Sequence, residues 1–484
     1  MSFIKIIQKH FLPVALILSV SFPFIVFLLK VKEFALPEYS KIISCFSFTF
    51  FQAFLSVVIS WFFALPASLG LTAFYKRPFY SFLEWAYLLP LFLPPLVIAG
   101  SIINIFEYIS INPFGLTPIV LGHAITYAGG MAVILARLLM SKTASYCEWA
   151  VVHGLPLWKL LTVLLRFVLK RDVQLISLTV FCFCLTSFSL PLLLGGDSGK
   201  TLEVVIYDYL KNPNEWPIAL GLLSIEILCI FILSFFIFKP ISYLKKLRPL
   251  PYTHIKKNVL FGLLPICFII IGFVEGLYYI PEVLKLTGFM TAVLATLFLS
   301  LSVGAGIIFC FILISFYSSI SYLKKFLIGY AIPSIVLTGF SFLIFMNDQV
   351  YMAWICGLII LFLPSLYRWA GESFLYSLEN QIQTAQTLGA DKTHIFKKII
   401  WPQCAPSFFL LGGIAGFWAS GDFAYTMITS QGNTNLAITA QQLLERYRTE
   451  QGLALIWILL FIGSLCFLFF RKIPSFIGIM VERK

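Results

Sequence analysis

Apolar runs of spanning length, separated by short polar intervals, recur along this sequence and constrain its fold more than any other feature. A helix needs about 20 apolar residues to cross a bilayer, and lipid admits only segments whose backbone groups are satisfied internally. In the first part of the chain such runs fall at 11–29, 42–75, 82–106, 116–140, 173–195 and 217–238. In the second part they fall at 259–279, 287–316, 326–346, 350–367, 406–429 and 453–470. The expected fold is an all-α membrane protein of twelve transmembrane helices, six before and six after a polar interruption. The run at 42–75 exceeds what a bilayer needs, so its helix is expected to tilt, bend at Pro66 or project beyond the membrane.

With 60% hydrophobic and 11% charged residues, the chain has too little polar surface to cover a soluble globule. A net charge of +13 would suit nucleic acid only if the basic residues were gathered on one soluble face; they lie between apolar runs instead, which excludes that partner. The ten cysteines sit mostly inside the runs, and Cys182 and Cys184 are separated by one residue, not the two usual at metal sites. Buried free thiols, with no metal and no cofactor, are the expectation. His123, His153 and His394 have no metal-ligand or acid–base spacing to nearby carboxylates, so no catalytic residues are assigned and the chain is not read as an enzyme.

The interruption is residues 239–258, where Lys239, Lys245, Lys246, Arg248, Lys256 and Lys257 are mixed with Pro240, Pro249 and Pro251. It reads as a basic cytoplasmic linker between a first repeat, 1–238, and a second, 259–484. Lys5 and Lys9 precede the first run and no small-residue cleavage site follows promptly, as in an uncleaved signal anchor with its amino end inside. About 26 of the 34 Lys and Arg residues, Lys76, Arg77, Lys170, Arg171, Lys324 and Lys325 among them, then fall on the amino-terminal side, as the positive-inside rule requires. Lys32, Lys211, Arg446 and Arg448 fall on the other side. Both termini are thus expected in the cytoplasm. An even number of spans per repeat gives the repeats the same orientation, related by an axis along the membrane normal.

One polar interval is too regular for a slack loop. Gln381 to Leu388 carries good helix formers, Gly389 supplies a left-handed stop, and Asp391 suits the N-cap of a second helix that Pro402 should end. In that helix Ile395, Phe396, Ile399 and Ile400 share one face, while Lys392, Lys397 and Lys398 point elsewhere. A second copy lies 235 positions upstream (148 to 383): Glu148, Trp149, Ala150 and Gly154 align without a gap on Gln383, Thr384, Ala385 and Gly389. Pro156 follows the earlier glycine and suits the first turn of a restarting helix. At the far end Leu164, Arg166 and Phe167 stand where Ile399, Trp401 and Pro402 stand later.

These two intervals resemble the cytoplasmic signature of the integral-membrane permeases of bacterial binding-protein-dependent ABC importers: Glu-Ala-Ala, three residues, Gly, nine residues, Ile-x-Leu-Pro. The later copy keeps Ala385, Gly389, Ile399 and Pro402, with Gln383, Thr384 and Trp401 as departures; the earlier keeps Glu148, Ala150 and Gly154 and lacks the final proline. The resemblance covers nearly the whole chain as two fused permeases. It implies a type I ABC importer permease fold of two parallel six-helix repeats in the bacterial inner membrane. It implies coupling loops at about 141–172 and 368–405, with Glu148, Ala150, Gly154, Gln383, Ala385 and Gly389 as contact and turn residues toward two ATP-binding cassette subunits. A periplasmic or lipid-anchored substrate-binding protein would deliver the ligand.

The chain has no energy source of its own. Gly195 to Thr201 imitates a phosphate loop but is one residue short, and it follows a span, not a strand. Asp422, in the run after the second loop, Ser187 aligned with it in the first half, and Glu226 inside the sixth run are the candidates for the translocation path, because an ionised carboxylate facing lipid is costly. An interhelical hydrogen-bond role is the alternative for both acids. The layout around Phe188–Gly196, Thr201–Tyr209 and Gln441–Gly452 is similar to fused permeases for thiamine and for ferric iron. Gly421-Asp422-Phe423, Gln441-Gln442 and Tyr447-Arg448 look more like the thiamine branch. A twelve-span secondary transporter of the major-facilitator type is the alternative class. Its short loop after the second span, Tyr75–Ser81, lacks the expected Gly-x-x-x-Asp-Arg pattern, and the long loops here follow the fourth and tenth runs.

Overall fold

Proline and glycine decide where the long apolar segments break into separate helices. A computed structural model describes residues 3–30, 35–196, 199–237, 247–252, 254–316, 334–346, 348–367 and 378–476. Asp197 and Ser198, the linker's Lys239, Pro240, Lys245 and Lys246, Lys324 and Lys325, the start of the run at 326–346 and the start of the second loop at 368–377 lie outside them. Among the described residues the ordered elements are all helical.

In chain order these are α1 Phe3–Lys30, α2 Tyr39–Thr72, α3 Tyr80–Phe92, α4 Pro95–Tyr108, α5 Leu116–Leu138, α6 Ala144–Val152, α7 Leu157–Val163, α8 Lys170–Leu185, α9 Ser189–Leu194, α10 Leu202–Leu210 and α11 Trp216–Ile237. The second part holds α12 Val259–Phe273, α13 Ile280–Val283, α14 Phe289–Phe316, α15 Ile335–Phe345, α16 Val350–Leu366, α17 Glu379–Thr387, α18 Lys392–Ile395, α19 Trp401–Ser420, α20 Ala424–Ile428, α21 Leu436–Glu445 and α22 Thr449–Phe476. Seven helical stretches among the described residues are long and apolar enough to cross a membrane, and the pair α3–α4 would make an eighth.

Three expected continuous runs are broken. That at 82–106 splits into α3 and α4, bent by 88°, because Pro94 holds an extended conformation and neither Pro94 nor Pro95 can donate to the turn before it. That at 173–195 breaks at Thr186–Phe188 between α8 and α9, and that at 406–429 breaks at Gly421–Phe423 between α19 and α20. Pro402, expected to end a helix, does not. The helical path continues from α18 through a π-turn at Phe396–Ile400 into α19, with Pro402 in that helix's first turn, where a missing N–H is tolerated.

The chain forms two contact units. One comprises 36–205 and 224–275. Within it α2 packs along α5 and α8, and α12 lies against α2, α3, α4 and α5. Close approach is built in: a Cβ on Gly262 would strike the Tyr87 ring, whose hydroxyl donates to the Val259 carbonyl at 2.7 Å. The other unit comprises 1–35, 206–223 and 276–484. Within it α14 packs along α19, where Gly304 and Gly412 each leave room for the other's carbonyl, and α19 and α21 pack on α22. Here α1 lies against α15, the Ser341 hydroxyl donating to the Pro23 carbonyl and the Phe22 ring meeting Phe345 edge-on at 4.8 Å. The first helix of each sequence half thus belongs to the unit formed mainly by the other half.

Candidate coupling turns and polar sites

The earlier turn is built on a Schellman stop. At the end of α6 the N–H of Leu155 donates to the carbonyl of Ala150 at 2.9 Å and that of Gly154 to Val151 at 3.1 Å, with Gly154 at φ +66°. The later turn repeats this 235 positions on: Ala390 donates to Ala385 at 3.0 Å and Gly389 to Gln386 at 3.0 Å, with Gly389 at φ +82°. The signature alanine and glycine are therefore the two residues that define the stop. A side chain on either glycine would meet no neighbour within 4 Å, so what selects glycine is backbone conformation, not crowding.

The restarts differ in chemistry and agree in position. Pro156 stands ahead of α7 in an extended conformation, one residue before the first turn expected for it. At the equivalent place Asp391 caps α18, its Oδ1 accepting from the His394 N–H at 3.2 Å, as the sequence suggested. Ile395 and Ile400 are buried and Phe396 and Ile399 half-buried, while Lys392, Lys397 and Lys398 are exposed. Glu148, Gly154, Gln383 and Gly389 are exposed; Ala385 is half-buried and Ala150 fully buried. The alanines thus face inward beneath the turn, leaving the other four at the surface.

Sequence reasoning missed what holds the earlier turn. Lys142 Nζ lies 3.0 and 2.8 Å from the two carboxylate oxygens of Asp172, joining the π-turn Leu139–Thr143 ahead of α6 to the head of α8. The Arg248 N–H donates to the Met140 carbonyl at 3.1 Å, and Leu250, Tyr252 and Ile255 share one core with Cys147, Ala150, Leu160 and Leu161. Two opposite charges 30 positions apart (142 to 172) carry no periodic signal. The linker's own pattern advertised only charge and proline.

The polar candidates occupy separate places. Asp422 lies in the break before α20, not inside a helix; its half-buried carboxylate accepts through Oδ1 from the Tyr425 N–H at 3.0 Å and the Thr426 N–H at 3.4 Å. The cap is completed by the Thr426 hydroxyl donating to the Asp422 carbonyl at 2.6 Å. Ser187, half-buried, occupies the matching break before α9. Glu226 is buried in α11 with neither carboxylate oxygen hydrogen-bonded among the described residues, near enough to Glu203 for their charges to interact. Asp422 and Glu226 belong to different contact units. Gly195, at the head of the phosphate-loop-like stretch, follows helix α9, whereas a nucleotide loop follows a strand.

Residues 325–473 match a family model described as the binding-protein-dependent transport system inner membrane component. The thiamine transport system permease protein ThiP of Escherichia coli (strain K12) is 27% identical over 204 residues, which cover 38% of this chain and 37% of the relative. ThiP of Salmonella typhimurium is 28% identical over 203 residues with the same coverage. The aligned stretch thus spans little more than a third of either relative. No solved structure matches the chain significantly. Over residues 325–473 the chain is therefore similar to the inner membrane component of binding-protein-dependent transport systems, and over about a third of its length it resembles thiamine permeases.

Proposed function

We propose that the chain is a two-repeat permease of an ABC importer, with repeats at 1–238 and 259–484, and that its two Schellman turns are coupling elements seated on two ATP-binding subunits in the cytoplasm. The observation that carries this reading is the duplicated turn. Backbone hydrogen bonds recur between equivalent atoms 235 positions apart, around glycines that are both exposed and both in the left-handed conformation. A bond of the same kind occurs once in each unit, although not at the 235-position offset: the Leu202 N–H donates to Thr49 Oγ1 at 2.8 Å, and the Leu436 N–H to Thr296 Oγ1 at 3.1 Å.

In mechanism, nucleotide-driven closure of the ATP-binding subunits displaces the turns. Each turn then acts as a lever on the helices it is continuous with, α5 and α8 in one half and α19 in the other. The Schellman stop keeps the lever short and stiff, and the clasp from Lys142 to Asp172 prevents the force from being lost in local bending. ATP hydrolysis belongs to the partner subunits, and the ligand arrives on a binding protein outside. Thiamine or its phosphates are the cargo this reading favours, from the relatives' names and the Gly421–Phe423 and Gln441–Arg448 stretches; ferric iron is the second cargo.

The test is uptake by proteoliposomes holding the chain, its ATP-binding subunit and its binding protein. Labelled thiamine should accumulate only with ATP, and Gly389→Pro should remove uptake while leaving insertion intact. Uptake of ferric iron but not thiamine would replace the cargo. Uptake independent of any ATP-binding subunit would replace the mechanism.

A further inference from the structure

We infer that the two coupling turns are unequal: the earlier one is an apolar anchor received by an apolar cleft of an ATP-binding subunit, and the later one is a polar guide that adds little binding energy. This rests on the proposal that both turns touch those subunits, and it goes beyond it by assigning the chemistry of each contact.

The two turns share a backbone, so their side chains can be compared position by position. Trp149 is 57% exposed, Val152 82% and Trp158 65%. The residues 235 positions on are Thr384, Thr387 and Thr393, all exposed. Tyr146, 53% exposed, gives way in the same manner to Gln381. One scaffold therefore displays two indoles, a tyrosine and a valine in one half; in the other it displays hydroxyls and amides beside a single exposed leucine, Leu388.

Neither the fold nor nearness to a bilayer demands the aromatic residues, because the later turn has threonines and a glutamine at those positions on the same backbone. Exposed apolar side chains of this kind, close in sequence to the stop at Gly154, mark a protein or membrane contact, and the threonines at the equivalent positions of the later turn favour the protein. The aromatic side chains are also preorganised. The Trp149 indole stacks on the His153 ring at 4.1 Å between centroids, with His153 Nδ1 3.0 Å from the Trp149 carbonyl, and Lys159 lies over the Trp158 ring at 5.6 Å. Aromatic anchors already fixed in place lose little entropy on docking, and tryptophan is enriched among the residues that dominate interface energy. The occupant is thus an ATP-binding subunit with an apolar cleft deep enough for an indole. Two identical subunits would still be held unequally, more tightly under the earlier half.

The experiment titrates the full chain in nanodiscs with the ATP-binding subunit that restores ATP hydrolysis to it. Trp149→Thr with Val152→Thr installs residues the same backbone already accepts in the later turn; the expected result is affinity weakened by about tenfold or more. Thr384→Ala with Thr387→Ala should change affinity by less than about twofold. Grafting the patch by Thr384→Trp with Thr387→Val should tighten binding, which keeps the test decisive even if the first variant folds poorly. Equal losses from the two turns would overturn the inequality while leaving the coupling role intact. Unchanged affinity in the Trp149 variant would assign the patch to lipid and overturn the anchor. If Gly154→Pro with Gly389→Pro also left affinity unchanged, the underlying coupling proposal would fall as well.

Discussion

Beneath the earlier turn, Ala150 is fully buried, the core continues into Leu250, Tyr252 and Ile255 of the linker, and an ion pair closes the base. Beneath the later turn, Ala385 is half-buried, the Phe396 ring meets Phe316 at 5.7 Å, and an exposed hydrogen bond runs from the Gln403 amide to Gln381 Oε1 at 2.8 Å. The shape of the stop is nevertheless the same. Geometry here depends on two backbone positions, an alanine whose carbonyl accepts and a glycine that turns left-handed; stiffness depends on what surrounds them. Two turns can keep a common shape while their supports and exposed side chains differ.

The sharpest way to break this comparison is to remove the shared geometry. Proline at 154 or 389 cannot take a positive φ and loses the N–H that bonds Val151 or Gln386, a local cost of about 3 kcal/mol. Either variant should insert normally yet lose binding-protein-stimulated ATP hydrolysis; hydrolysis at the native level would refute the role of the stop. Next in size is the clasp. Asp172→Ala leaves Lys142, 22% exposed, facing a cavity without its partner, and should cost about 2–3 kcal/mol, less than a fully buried pair. Thermal unfolding in detergent reads the loss, and Lys142→Asp with Asp172→Lys should recover most of it.

A smaller effect separates the two roles open to Asp422. Asp422→Asn keeps a capping oxygen for the Tyr425 and Thr426 N–H groups, whereas Asp422→Ala removes it at about 1 kcal/mol. Lower transport in both variants, with stability lost only in the alanine variant, would place the carboxylate on the ligand's path; lower transport only where stability falls would make it a cap. The smallest effect should follow Gln403→Ala. Its exposed contact is worth within about 0.5 kcal/mol, measured by the same unfolding assay, and a larger loss would mean that the later turn is as firmly braced as the earlier.

The turns were legible because their chemistry is local. Glycine at 389, the cap at 391 and the sided pattern from 395 to 400 each act within a few residues, and the structure places all of them as expected. The breaks before α4, α9 and α20 were hidden by the apolar flanks on both sides of them, since Pro94, Thr186–Phe188 and Gly421–Phe423 are each too short to split a run by hydropathy. The exchange of first helices was hidden for a related reason. Val259–Phe273 is apolar on every side, so no face announces that Tyr87, 172 residues away, will bond it. Long-range polar contacts such as Lys142 with Asp172 leave no trace in spacing either, because neither residue repeats.

The central claim is that both turns touch ATP-binding subunits, and photo-crosslinking tests it most directly. A photoreactive phenylalanine analogue at Val152 and, separately, at Thr387 samples equivalent exposed positions without disturbing either glycine. In cells expressing the full transporter, each probe should yield an adduct with the ATP-binding subunit, and the yield should change when nucleotide is trapped. Adducts absent at both positions, or formed instead with the binding protein on the outer side of the membrane, would contradict the account.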